Sequence, residues 1–168
     1  MTPVELTTSA MQRLMLEVRQ DLEELDRLAG QIEDASGPMS TPDLDGAARA
    51  YLAVGLHNYY TAAEVMLDRI VREIDGVTSD GPSWHKTLLR RCTLPATDTR
   101  PAILDEDLLP ELSRLLSFRH FFRHAYAVDL DWNELQSHRE RVVRVHPRLH
   151  ANISAFLSHL EDSVSELE

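Results

Sequence analysis

Apolar residues recur down the first part of the chain at alternating spacings of four and three: Met11, Met15, Val18, Leu22, Leu25, Ala29 and Ile32. That rhythm draws one seam along a long amphipathic helix within residues 1–36, which Ser36-Gly37-Pro38 is expected to end. The seam is expected to form one wall of an intrachain bundle, with a dimer or partner surface as the alternative. A second stripe, Leu44, Ala48, Tyr51, Gly55, Tyr59, Ala62, Met66, Ile70 and Ile74, predicts another long helix. Thr41-Pro42-Asp43 opens it with a capping hydroxyl and a first-turn proline, and Asp75-Gly76 closes it. After the turn signal Ser79-Asp80-Gly81-Pro82-Ser83, a short helix runs from Trp84 to about Cys92 with Trp84, Leu88 and Leu89 inward. Residues 95–101 read as loop. The next helix begins between Asp105 and Pro110 and runs to about Ala127; Asn133 is expected to cap the last, which heads towards Glu166. Pro147 is expected to kink or interrupt it. No stretch alternates like a strand. The expectation is a single all-α domain over residues 1–168, an antiparallel bundle of four main helices plus a short one.

Charge complicates the functional reading. The net formal charge is -11, the wrong sign for general nucleic-acid affinity, which comes from neutralising phosphates. The acids are uneven, however. Glu17, Asp21, Glu23, Glu24, Asp26, Glu33 and Asp34 crowd the first helix, and Glu161, Asp162, Glu166 and Glu168 the tail. Around residues 86–123 the sign reverses, with Lys86, Arg90, Arg91, Arg114, Arg119 and Arg123. A basic cleft on an acidic body can still focus an anion. The lone Cys92 is expected to be a small buried apolar residue, with no cysteine cluster for zinc. No secretion signal opens the chain and no apolar run nears membrane-spanning length, so a cytoplasmic protein with no membrane association is expected.

The densest chemistry lies in Phe118-Arg119-His120-Phe121-Phe122-Arg123-His124-Ala125-Tyr126. On a helix, at about 100° per residue, Tyr126, Arg119 and Arg123 fall within roughly 60° of one another, and His120 and His124 continue the arc. Phe118, Phe121, Phe122 and Ala125 take the other side as an expected apolar anchor. Cationic groups on adjacent turns repel, and an anion seated there relieves the repulsion. On the preceding long helix, Tyr60 and Glu64 share a face. They read as half-buried polar residues, or, for Glu64, as a group that orients or neutralises an arginine of the motif helix.

Arg119, His124 and Tyr126 spell R-x4-H-x-Y, which resembles the signature of the HEPN superfamily and, within it, the HepT-like toxins. The resemblance extends to Leu56-His57-Asn58-Tyr59-Tyr60, Glu64, residues 69–76, Ser83-Trp84-His85-Lys86 with Leu88-Leu89, and Arg100-Pro101, covering roughly residues 50–160. It implies an HEPN-like helical bundle acting as a metal-independent endoribonuclease toxin, paired with a nucleotidyltransferase antitoxin in a type II system. It also implies a homodimer whose facing motif helices make a composite cleft, and Tyr126 as the tyrosine that the antitoxin adenylylates.

The residue types suit that chemistry. Metal-free RNA cleavage needs a base for the 2′-hydroxyl proton, an acid for the leaving 5′-oxygen, and cations at phosphorus. Histidine and arginine provide these. The assignment is Arg119 for phosphate, His124 for proton transfer, His120, Arg123 and Glu64 for positioning, and no cofactor or metal. Three alternatives stand beside it. The polar face is a salt-bridge network in a scaffold. Or His120 with His124, or His146 with His150, at i and i+4, begin a metal site. Or the domain is a non-catalytic nucleotide- or partner-binding subunit of a nucleotidyltransferase.

Overall fold

The computed structural model describes residues 8–35, 37, 41–78, 81–96, 100–124 and 130–166. They form five helices: α1 (Thr8–Glu33), α2 (Pro42–Asp75), α3 (Trp84–Cys92), α4 (Leu108–His124) and α5 (Trp132–Ser165). Among the described residues there is no strand, and no helix is long and apolar enough to cross a membrane.

The expected seam on α1 is a wall of the chain's own core. Met15, Val18, Leu22, Leu25, Ala29 and Ile32 are buried, together with Leu14 and Leu28. Side-chain pairs fix the directions of the helices. Arg69 of α2 reaches Glu17 at 2.8 Å and Asp21 at 2.9 Å, while Ile32 lies beside Gly55, so α1 and α2 are antiparallel. A Cβ on Gly55 would sit 3.3 Å from Ile32 Cγ1, which is why a glycine stands where the helices close. Arg19 pairs with Glu161, and Asp26 with His146, so α5 also runs against α1. His57 meets Phe122 and Phe118 meets His138, which sets α4 against both α2 and α5. Helix α2 packs on all four other helices and is the centre of the bundle.

The helix ends follow local chemistry with two departures. Gly76 closes α2 in the left-handed region at φ 64°, as Asp75-Gly76 predicts, and Thr41 takes the N-cap position although its hydroxyl makes no capping bond. At α5 the cap is Asp131, whose carboxylate accepts from the Asn133 amide at 3.0 Å, rather than Asn133 itself. Trp132 is drawn into the helix because its indole N–H donates to Asp45 on α2 at 2.8 Å. Pro147 does not interrupt α5. It sits on the solvent face with Val143, whose carbonyl loses its usual i+4 donor and can turn to water. Cys92 is fully buried as expected, and burial pushes its thiol up to about 12.

Candidate functional site

Helix α4 turns its motif differently from the expected wheel. Leu108, Leu112, Leu115 and Leu116 are buried, and Arg119 continues their line into the bundle at 8% exposure. Phe118 is buried at 3% and Phe122 packs on the core, but Phe121 is 42% exposed and anchors nothing. Arg123 and His124 stand exposed at the helix end. Ala125 and Tyr126 lie outside the described residues.

What lets an arginine continue a leucine line is the facing stripe of α2. Glu64 is 4% exposed, not half-buried, and its Oε2 lies 3.4 Å from Arg119 Nη1. At that distance the two attract as an ion pair without hydrogen-bond geometry, since Arg119 Nη1 has no hydrogen-bond partner. The bond Arg119 does make is from Nε to Thr61 Oγ1, at 3.1 Å. That hydroxyl in turn donates to the His57 carbonyl at 2.9 Å, which aims an oxygen lone pair at the guanidinium. His57, Thr61 and Glu64 follow helical spacing, so one stripe of α2 supplies the whole cradle.

Helix α3 adds a residue that the sequence marks only through the family resemblance. His85 donates from Nδ1 to the other Glu64 oxygen. Its ring lies 4.0 Å from the Trp84 ring and meets the His120 ring edge-on at 5.1 Å. Glu64 thus joins three helices, holding His85 of α3 and Arg119 of α4. Ser83-Trp84-His85-Lys86 pointed to the residue; its partner, on another helix, could not be read from spacing.

The electrostatics are those of a crowded cationic patch. Burial lowers the His120 pKa below its ordinary value, and His85, Arg119, Arg123 and His124 lower it further. His57 is lowered by burial and by the same two arginines. Burial and the surrounding cations thus disfavour the protonated form of His120. His124 donates from Nδ1 to the His120 carbonyl at 2.8 Å, which turns Nε2 away from the helix as the free nitrogen. Burial, and then Glu64, push the Tyr60 pKa well above the ordinary phenol range. Among the described residues, three buried side-chain polar atoms have no hydrogen-bond partner: His57 Nδ1, the Tyr60 hydroxyl and Arg119 Nη1. All three belong to residues around Arg119, and folded proteins seldom leave such atoms unpaired.

The structure thus brings Arg119, Glu64, His120 and His85 together, with Arg123 and His124 at the open end of α4. The other histidine pair is occupied otherwise. His146 donates from Nε2 to Asp26 at 3.0 Å, and its Nδ1 lies 3.2 Å from the Tyr59 hydroxyl. Among the described residues no three His, Cys, Asp or Glu side chains converge as a metal site.

No curated protein and no solved structure matches the chain. The sequence pattern of one family, described as HepT-like protein, matches residues 51–160, which takes in the α2 cradle, α3 and the motif helix. With that match spanning more than half of its length, the chain belongs to the HepT-like family.

Proposed function

We propose that this chain is a metal-independent endoribonuclease, the toxin of a type II toxin–antitoxin pair, cleaving RNA by attack of the 2′-hydroxyl. The observation that carries the reading is the built cluster around Arg119. A buried carboxylate and a threonine hydroxyl hold the first motif residue beside His120, while Arg123 and His124 face solvent one turn on. His124 offers Nε2 as the base for the 2′-hydroxyl. Arg123 meets the phosphate from the solvent side, and Arg119 meets it with the guanidinium edge that Glu64 and Thr61 do not hold. His120 and Glu64 position these groups.

A homodimer completes the proposal. Phe121, exposed beside the motif, is the kind of apolar side chain that a second copy would cover if two motif helices met near a two-fold axis. The antitoxin would be a nucleotidyltransferase. Adenylylation of Tyr126 would add phosphate charge two residues from His124 and oppose RNA binding.

The test is purified, metal-free protein with chelator on an RNA and on the same sequence with 2′-deoxy residues. The expected result is cleavage of the RNA alone, leaving a 2′,3′-cyclic phosphate, with His124→Ala losing about 10²–10⁴ in rate. Equal cutting of both, or no cutting by the folded dimer, refutes it. One observation favours a second reading, a non-catalytic nucleotide- or partner-binding subunit of a nucleotidyltransferase. Glu64 already balances the charge of Arg119, on a chain of net charge -11. Binding of a nucleotide or of that partner without RNA cleavage would establish it.

A further inference from the structure

Cleavage by a 2′-hydroxyl needs two proton transfers, on opposite sides of phosphorus: one from the 2′-oxygen and one to the 5′-oxygen. The motif helix provides His124 as an exposed base, and the facing copy in a dimer is one source of the acid. The structure holds another within the same chain. His85 lies on α3, outside the motif, yet its ring touches that of His120 edge-on at 5.1 Å. Its Nδ1 is committed to Glu64 Oε1, so Nε2 is the nitrogen left to exchange a proton. A carboxylate held against Nδ1 is the arrangement that fixes a working imidazole in one orientation.

Packing alone does not account for this. A histidine stacked on Trp84 needs no buried carboxylate, and burying one is costly unless it is paired. Here the same carboxylate lies against the first residue of the motif, Arg119, at 3.4 Å. One buried group therefore sets His85 and Arg119 together. The unpaired buried atoms of His57, Tyr60 and Arg119 lie around the same carboxylate or guanidinium, so the polar groups here are not used up in holding the fold.

We propose that His85 is the general acid of this site, oriented by Glu64; the proposal rests on the ribonuclease reading above. In the step, His124 Nε2 takes the proton of the 2′-hydroxyl as the 2′-oxygen bonds to phosphorus. The bond from phosphorus to the 5′-oxygen breaks, and that oxygen takes the proton from His85 Nε2. The products are a 2′,3′-cyclic phosphate and a 5′-hydroxyl. His124 has gained the proton that His85 lost, and exchange with water restores both.

The experiment compares two substrates that differ only in the leaving group. One is a ribodinucleotide with its natural 5′-oxygen. The other is a nucleoside 3′-(p-nitrophenyl phosphate), whose phenolate departs without an acid. Wild type, His85→Ala, His85→Gln and Glu64→Gln are assayed across pH, with circular dichroism confirming that each is folded. The His85 variants are expected to lose about 10²–10⁴ in kcat on the dinucleotide, with KM little changed, and less than about tenfold on the p-nitrophenyl ester. The limb of the pH–rate profile that reports a protonated group should vanish. Glu64→Gln should lose less on the dinucleotide, with the same dependence on leaving group. Equal losses on both substrates mean that His85 only supports the structure, and wild-type rates for the variants mean that the acid comes from elsewhere, such as the second copy. Either overturns the proposal while leaving the ribonuclease standing. A wild type that cleaves neither substrate removes the ribonuclease reading and this proposal with it.

Discussion

Replacing Glu64 with alanine tests whether the motif arginine is buried because a carboxylate is there to meet it. Glu64 and the Arg119 side chain are 4% and 10% exposed, so neither has much water to fall back on. Without the carboxylate the guanidinium keeps only its bond to Thr61, and His85 loses its Nδ1 acceptor. Breaking a buried ion pair from one side typically costs about 3–5 kcal/mol. The 3.4 Å contact lacks hydrogen-bond geometry, which lowers the figure, while the lost bond from His85 raises it by about 1.5 kcal/mol or more. The two do not add fully, because one carboxylate makes both. The expected destabilisation is about 3–4 kcal/mol, or roughly 6–16 °C in Tm for a domain of this size. Glu64→Gln retains the volume and an acceptor for His85 and should cost about 1–2 kcal/mol. Urea denaturation followed by circular dichroism reads both, with m unchanged if only the native state is affected. The double change Glu64→Leu with Arg119→Met, measured beside the single changes Glu64→Leu and Arg119→Met, forms a cycle. With both charges gone no ion is stranded, so it should be less destabilising than the sum of the single changes. A Glu64→Ala protein within about 1 kcal/mol of wild type, or a double variant that costs the full sum, refutes the reasoning.

The phenylalanines of the motif should separate by exposure: Phe118→Ala should cost about 3–5 kcal/mol, and Phe121→Ala, at 42% exposure, less than about 1 kcal/mol, by the same denaturation assay. His138 is pushed down to about 4 by burial and by Arg141 and Arg114, and its Nδ1 accepts from Arg141 at 3.1 Å. Because the unfolded ring titrates near 6.5, the unfolded chain takes the proton first; the contribution is complete above that pH and is lost as pH falls towards 4. In full the shift would be worth about 3 kcal/mol, and partial exposure reduces it to about 1–2 kcal/mol. His138→Gln should flatten that part of the stability curve, which urea midpoints between pH 7 and pH 4 measure. Cys92 should resist a thiol reagent in the native protein and react only at the rate of unfolding, read by labelling with and without urea.

The residues show which parts of this molecule spacing could foretell. The seam of α1 was legible because every third or fourth residue is apolar and one continuous wall receives them. Gly76 was legible because few residues adopt a positive φ as readily as glycine. The α5 cap was misplaced by two residues because Asp131 and Asn133 are both good caps, and the choice was made by the bond from Trp132 to Asp45 on another helix. The orientation of α4 was misread because nine residues were sorted by polarity, which put three phenylalanines inside and the arginine outside. The leucines at 108, 112, 115 and 116 carry the better signal, and they point the inward face at Arg119. Even so, that line alone would have argued that an arginine ends the core. Whether a charge can continue an apolar stripe is decided by what faces it, and Glu64 and Thr61 face Arg119 from more than fifty residues away in the chain. The same holds for His85: the carboxylate against its Nδ1 comes from Glu64, on another helix, and cannot be read from the residues around it. Periodicity reports the side of a helix that avoids water; it carries no information on which buried polar groups meet, and at this site that meeting is what lets Arg119 be buried.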